Sequence, residues 1–402
     1  YLYEYDENTN TWNTGTTLYP VTNDRAHNFG ERISISGDYI AISSGQTYVW
    51  YDSNGNSSFT NNGGSMKIAG VIEIYKLNNG TWSHVNRIAT PKLDRHTYIG
   101  DDAGLDIYHS GNDCYIAVGE YKYNEWRGAV HIFKRKQDET WEYKQMILPV
   151  TETGEDDSQY VWGNGSYYAR GAPQSSKKAI SINSNYLIVS AQQKNITYNG
   201  TSYTKLGVVY LYKKNVDETW SIFKRINLAN YINQISSGTL NSDSNFGCSI
   251  KLLNNYILIG SYRKANDVGD YYSGCAYLFK IDSTDVILLK ELKASDFDTL
   301  NTFDNTSWYD RFGYEVDMKQ HNSYDYYTII VAATDFDNNN INSTGCIFIY
   351  ELMGDTVIPI NLIPSIKGIT GEYFGMSISI DKFISIGSQN YVYKDDNDND
   401  IT

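Results

Sequence analysis

The sequence predicts an all-β fold, a radial β-propeller of four-stranded blades. Three observations predict it: a recurring strand unit, the period of that unit, and an aromatic-rich, proline-poor composition. The clearest unit runs from Phe246 to Lys280 and reads FGCSIKLLNNYILIGSYRKANDVGDYYSGCAYLFK. Alternating Cys248, Ile250 and Leu252, the polar turn Asn254-Asn255, and a second run through Ile257 and Ile259 read as two strands joined by a tight turn. A polar loop from Tyr262 to Gly274 follows, and a third strand starts directly after that glycine.

The unit recurs plainly at Phe29, Phe312 and Phe374, and in degenerate form around Gly104-Leu105-Asp106-Ile107 and Ala179-Ile180-Ser181-Ile182. Its third strand returns as VIEIYK at Val71, AVHIFK at Ala129, VVYLYK at Val208 and CIFIYE at Cys346, each preceded by a glycine. A polar turn and then Trp82, Trp141, Trp220, Val286 or Val357 lead into a fourth strand. Four strands at a period of roughly 60 to 75 residues point to a propeller rather than a solenoid. A blade needs only about 45 residues, so the surplus falls in loops.

Composition agrees. Aromatics make up 14% of the chain, Tyr alone numbers 37 and Pro only 6, which suits pleated strands and opposes disorder. The 47 acidic against 33 basic residues leave a formal net charge of -14, which repels nucleic acid and anionic membrane. No apolar run reaches the 18 or so residues of a membrane-spanning helix, so membrane insertion is not expected. Of the four cysteines, Cys248 and Cys275 are expected on strands roughly 10 Å apart, too far for a disulfide. Cys275 and Cys346 occupy equivalent places and read as small core residues.

In chain order, repeats start near residues 29, 101, 176, 246, 312 and 374 of a single domain spanning 1–394, with an acidic tail over 395–402. Residues 1–20 match a third strand, turn, Trp12 and fourth strand, while Phe374 to Lys394 supply a first, a second and a short third strand. Pairing the N- and C-terminal strands would complete the last blade and close the ring. The count is six blades, with seven as the alternative because one third-strand segment is left over. A chain that begins at Tyr1, inside a strand, is expected to be a processed or partial product.

Phe-Gly, an alternating strand, a short turn, an apolar strand ending in Gly260-Ser261 or Gly387-Ser388, and Gly-x-Tyr-Leu-Phe-Lys together resemble the FG-GAP repeat. That repeat is the blade unit of integrin α-type propellers, and the likeness is closest to the bacterial and giant-virus form without the calcium loop between first and second strands. The resemblance implies an extracellular, cell-surface or virion-surface propeller that binds a protein or glycan surface, alone or within a larger assembly, and it does not imply an enzyme.

Asp335, Asp337 and Asn339 have the D-x-D-x-N spacing that suits a hard cation such as Ca2+, although the glycine for a sharp turn is missing and a solvated acidic turn explains the motif as well. Asp396, Asp398 and Asp400 share the spacing. No other cofactor is expected. Sequons at Asn56, Asn79, Asn164, Asn195, Asn199, Asn305 and Asn342 are as many as a chain this rich in Asn, Ser and Thr yields by chance. With only 6 His and no Gly-x-Ser-x-Gly or His-Glu-x-x-His motif, no linear catalytic signature stands out. Aromatics on the long loops, Trp50, Trp126, Trp162, Tyr271 and Tyr272, have flat faces and polar tips suited to anchoring a partner, unless they fold back over their own loops. The expectation is a non-enzymatic adhesion or structural module binding through its loops. A carbohydrate-binding propeller is the alternative, and a hydrolase with a site scattered through the sequence is the third reading.

Overall fold

The computed structural model describes all residues except 22–27, 55, 62, 92–97, 102, 121–122, 124–127, 149–177, 236–238, 266–271, 298–309, 322–324, 338–340, 366–368, 390–392, 395–399 and 402; for 393–394 and 400–401 it describes the backbone alone. Among the described residues the chain folds into five four-stranded antiparallel sheets taken strictly in sequence order. Sheet 1 holds Phe29–Ser36, Tyr39–Ser44, Val71–Asn78 and Thr81–Ile88, and sheet 2 holds Leu105–Ser110, Asp113–Glu120, Ala129–Arg135 and Trp141–Ile147. Sheet 3 is Ile180–Ile182, Tyr186–Ala191, Val208–Lys214 and Trp220–Ile226; sheet 4 is Ile250–Leu253, Tyr256–Ser261, Cys275–Ile281 and Val286–Leu292. Sheet 5 comprises Phe312–Gln320, Tyr326–Ala333, Cys346–Met353 and Thr356–Pro364, and a two-stranded hairpin, Ser377–Ile380 with Ile384–Gly387, follows it. Among the described residues no helix is long and apolar enough to cross a membrane.

Second and third strands such as Tyr39–Ser44 and Cys275–Ile281 are near-continuous apolar runs because both their faces are covered. Fourth strands such as Thr81–Ile88 alternate exposed and covered residues, as an outer strand should. In all five sheets the pairing of third with fourth strand slips by one residue at the same place, between Ile74 and Tyr75, Ile132 and Phe133, Leu211 and Tyr212, Leu278 and Phe279, and Ile349 and Tyr350. A bulge there adds twist on the outer side of each sheet.

The Phe-Gly signature and the glycine before the third strand explain each other. The amide N–H groups of Phe246, Phe312 and Phe374 donate to the carbonyls of Leu206, Ser273 and Thr344 in the preceding sheet, each at 3.0 Å. The next residues, Gly207, Gly274 and Gly345, then sit so close that a Cβ would lie 2.1, 2.1 and 2.2 Å from the following Phe carbonyl oxygen. Sheets therefore lock together backbone to backbone, which only glycine permits. Sheet 2 uses the same lock in disguise: Ile99 N–H donates to the Ala69 carbonyl at 3.1 Å, and a Cβ on Gly70 would fall 2.4 Å from the Ile99 oxygen. Ile99-Gly100 thus replaces Phe-Gly, two residues further from its first strand, so the anchor expected at Gly104 is offset by an insertion.

Phe246 and Phe312 are fully buried, whereas Phe29 and Phe374 are half-buried. Phe29 packs, with Leu2 and Leu18, against Ile40, Ile42 and Tyr75 of sheet 1. Phe312→Ala is expected to lower stability by about 3 kcal/mol through the cavity it leaves against Phe348. Urea denaturation would check this, and a loss below about 1 kcal/mol would contradict the packing.

Three loop expectations change. Residues 45–70 form a small sheet of Tyr48–Tyr51 with Ser57–Ser58 and Ser65–Ile68, because Val49 and Tyr51 alternate onto a buried patch with Ala69, Val71 and Ala89. Between the second and third strands of sheet 3, Ile196–Tyr198 pairs with Thr201–Tyr203 as a separate hairpin. Tyr393–Lys394, expected as a third strand, pairs with Asp400–Ile401 instead of with Ile384–Gly387. All four cysteines are free and buried, as expected of Cys275 and Cys346 and now true of Cys114 and Cys248 too.

Candidate active site

The first strand of each sheet is an edge, with main-chain N–H groups that its own sheet leaves unpaired. Side chains of the neighbouring first strand satisfy them. Ile107 N–H donates to Ser34 Oγ at 3.2 Å, Ile182 N–H to Asp106 Oδ2 at 2.9 Å, Leu252 N–H to Ser181 Oγ at 3.2 Å, and Ile380 N–H to Asp317 Oδ2 at 3.2 Å. Ser34, Asp106, Ser181, Lys251, Asp317 and Ser379 hold the same register position, opposite Ala41, Ala117, Ile188, Leu258, Ile330 and Ser385. Together they form a collar, and all six line one axial cavity of about 620 Å³.

Lys251 breaks the rule, since an ammonium cannot accept a hydrogen bond. The groups around it compensate: Met318 N–H donates to its own residue's neighbour Asp317 Oδ1 at 2.9 Å, Val316 N–H donates to Ser249 Oγ at 3.1 Å, and Lys251 Nζ lies 3.0 Å from Asp317 Oδ1. Lys178 Nζ approaches from the third sheet, 3.5 Å from Asp317 Oδ2 and 3.9 Å from Glu315 Oε2, and donates to the Val316 and Ile378 carbonyls at 3.2 and 2.7 Å. Ser249 Oγ completes the cluster by donating to Glu315 Oε2 at 2.9 Å. Arg32 and Glu31 line the same cavity from sheet 1, with the Arg32 Nε donating to the Ala103 carbonyl at 3.0 Å.

The two collar carboxyls differ. Asp106 is deeply buried, and that burial pushes its pKa up despite the Lys251 charge and bonds from Ile182 N–H and Ser34 Oγ. Burial acts in the same direction on Asp317, but the Lys178 and Lys251 ammonium groups and the hydrogen bonds from Lys251 and Ile380 outweigh it, holding this carboxyl below the ordinary range. Lys251 is raised: burial works against its charge, and Asp317 and Asp106 more than offset that. Two carboxyls with pKa values driven apart around one lysine are the arrangement acid–base chemistry uses. Asp106, Ser181 and Lys251 also line a second cavity of about 500 Å³ beside Asn183, Asn185 and Asn254.

Elsewhere, His84 Nε2 lies 2.8 Å from Glu73, and His131 Nε2 lies 2.9 Å from Glu120 with Tyr143 Oη 3.1 Å from its Nδ1. These groups serve one another within their own sheets, away from the axial cavity.

Of the loop and metal candidates, Trp50, Tyr272, Asp335 and Asp337 lie outside the cavity lining. Trp126, Trp162, Tyr271 and Asn339 fall outside the described residues. Trp50 is half-buried within the small added sheet, opposite Ser58 and Met66. Tyr272 lies beneath the Arg263 guanidinium, 5.2 Å from its ring centre, and its carbonyl accepts from Arg311 N–H at 3.0 Å. Asp335 accepts from Thr334 Oγ1 at 2.8 Å and pairs with Arg311 at 3.3 Å, while Asp337 Oδ1 caps Ser343 N–H at 2.8 Å. Among the described residues no group of three or more His, Cys, Asp or Glu is placed to hold a metal ion.

No protein-family model and no curated protein matches the chain. A periplasmic gluconolactonase from Pseudomonas aeruginosa is similar in structure at TM-score 0.51 and 9% identity, over 99% of this chain and 89% of that one. A protein from Lactobacillus plantarum aligns at TM-score 0.49 and 11% identity over 99% and 89%. The first likeness supports a propeller-like, all-β fold. It also overturns the FG-GAP, integrin-like assignment and with it the adhesion or structural role: the solved structure it resembles is described as a periplasmic gluconolactonase, and no family model matches this chain. The expectation of no enzyme falls with them. Its physical weakness is plain in the collar, because a site built from one residue per repeat leaves no linear motif to find.

Proposed function

We propose that the chain is a hydrolase that opens a small polyhydroxylated ring ester, a sugar lactone, in the axial cavity. The carrying observation is the collar, where Asp106 and Asp317 flank Lys251 with their pKa values displaced in opposite directions. In this reading Asp106 acts as general base: it takes a proton from water as the water oxygen attacks the lactone carbonyl. Lys251 faces the developing oxyanion, and its charge stabilises the tetrahedral intermediate. Collapse breaks the ring carbon–oxygen bond, and the proton held by Asp106 passes to the departing alkoxide, leaving the open hydroxy acid. Asp317 positions Lys251 and keeps it charged. The lactonase description of the structural relative supports the reaction class.

The test is a pH profile of kcat/KM on glucono-1,5-lactone, with the spontaneous rate subtracted. Asp106 works only when deprotonated and its pKa is raised above 3.8, so activity should rise with pH along an acid limb above the ordinary aspartate range. No acceleration over the spontaneous reaction, or an acid limb at the ordinary value, would count against Asp106 as the base.

The same reading carries a periplasmic or secreted setting, supported by the periplasmic relative; a cell or virion surface lacks that support. It also carries a six-bladed ring over 1–394, with the last blade built from the C-terminal hairpin and the N-terminal segment. Tyr5–Asp6 pairs with Thr11–Trp12, the Tyr5 ring lies 4.5 Å from that of Phe383, Lys382 pairs with Glu7, and Leu2 and Leu18 pack on Ile40, Ile42 and Tyr75 of sheet 1. Removing residues 1–18 should give an aggregating or strongly destabilised protein. An unchanged melting temperature and a monomeric elution would argue against closure by this segment.

A further inference from the structure

We infer that the axial cavity takes an uncharged polyol ring and rejects the phosphate ester of the same ring; the inference rests on the hydrolase reading and assigns its substrate class. The cavity is lined by three cationic side chains, Arg32, Lys178 and Lys251, against four carboxylates, Glu31, Asp106, Glu315 and Asp317. Each cation already has an acidic neighbour: Glu31 3.6 Å from Arg32, Asp317 and Glu315 at 3.5 and 3.9 Å from Lys178, and Asp317 3.0 Å from Lys251. Lys178 also directs hydrogen bonds to two main-chain carbonyls, so its three donors are committed. A phosphate monoester carries about -1.5 to -2 charge at neutral pH and needs unspent donors to replace its water.

Entering this cavity, the phosphate would have to draw a lysine away from Asp317 or Glu315 and leave that buried carboxylate with less of the positive charge that now compensates it. Asp317 and Glu315 are almost wholly enclosed, with side-chain exposures of 3% and 4%, so the displaced charge has no route to solvent. The built-in repulsion is specificity by exclusion. A neutral ring avoids it, since its hydroxyls can donate to the carboxylates and accept from Lys251 without separating any ion pair.

The experiment is calorimetric titration of the full chain with two unreactive ring ethers, 1,5-anhydroglucitol and its 6-phosphate, in parallel with lactone hydrolysis. The neutral ring is expected to bind at least about tenfold more tightly, with the gap narrowing in Glu315→Gln. Equal or tighter binding of the phosphate, or binding of neither ring, overturns the inference. The two readings fail separately. Selective binding of the neutral ring without lactone hydrolysis would sink the hydrolase and keep the selectivity, while hydrolysis with a preference for the phosphorylated lactone would do the reverse.

Discussion

Asp106→Asn should lower kcat/KM for lactone opening by about 10²- to 10⁴-fold, the usual worth of a positioned general base. The substitution keeps an oxygen for Ile182 N–H, the bond that ties sheet 2 to sheet 3. It removes the ability to take a proton, together with the negative charge beside Lys251 and the second oxygen, which now accepts from Ser34 Oγ and Ile107 N–H. Stability should hold or rise slightly, because burial already disfavours the ionised carboxyl. A pH-stat measurement against the spontaneous rate, paired with a melting curve, separates the two effects. Unchanged catalysis would move the base elsewhere, and a collapse of the melting temperature would mean that the side chain acts through the scaffold.

Gly274→Ala should be the most damaging small change in the fold, costing about 4 kcal/mol or more. At φ +79° the residue sits in the left-handed region, and an added Cβ would meet the Phe312 carbonyl oxygen at 2.1 Å. That oxygen belongs to the main chain, held by the Phe312 N–H to Ser273 bond, so it cannot swing away as a side chain would. Relief requires sheets 4 and 5 to separate, which breaks that bond and unpacks Phe312 from Phe348. Gly80→Ala is the control, since its φ of +74° is equally unusual but nothing lies within 4 Å of the added carbon. Equal losses in the two variants, read by urea denaturation, would reduce the effect to backbone strain and refute the interlock.

How far the sequence revealed all this depends on which interaction left a local mark. Strand and turn alternation is local, and Ile250, Leu252, Ile257 and Ile259 fall on the strands that their pattern indicates. The Phe-Gly anchor was legible because glycine is irreplaceable there, yet Ile99-Gly100 went unread once two extra residues parted it from Leu105. The collar left no mark along the chain. Ser34, Asp106 and Lys251 each look like the polar half of an ordinary alternating strand, about 70 residues from the next member. Stacking the repeats by register would have exposed a column reading Ser, Asp, Ser, Lys, Asp, Ser, in which the charged members stand out. The aromatic loops drew attention through composition instead, and composition does not report convergence in space.

The collar joins sheets by offering side-chain oxygen to main-chain N–H, and a main-chain N–H does not distinguish a serine hydroxyl from an aspartate carboxylate. Each position can therefore drift between the two by single substitutions without disturbing the joint it makes. A row of duplicated units would inherit neutral joints and could turn any of them acidic, with Lys251 as the one departure that needed a compensating neighbour in Asp317. Descendants of such a row would share a scaffold while carrying unrelated charges on the axis, and their ancestry would be better traced in the glycine locks than in the residues that do the chemistry.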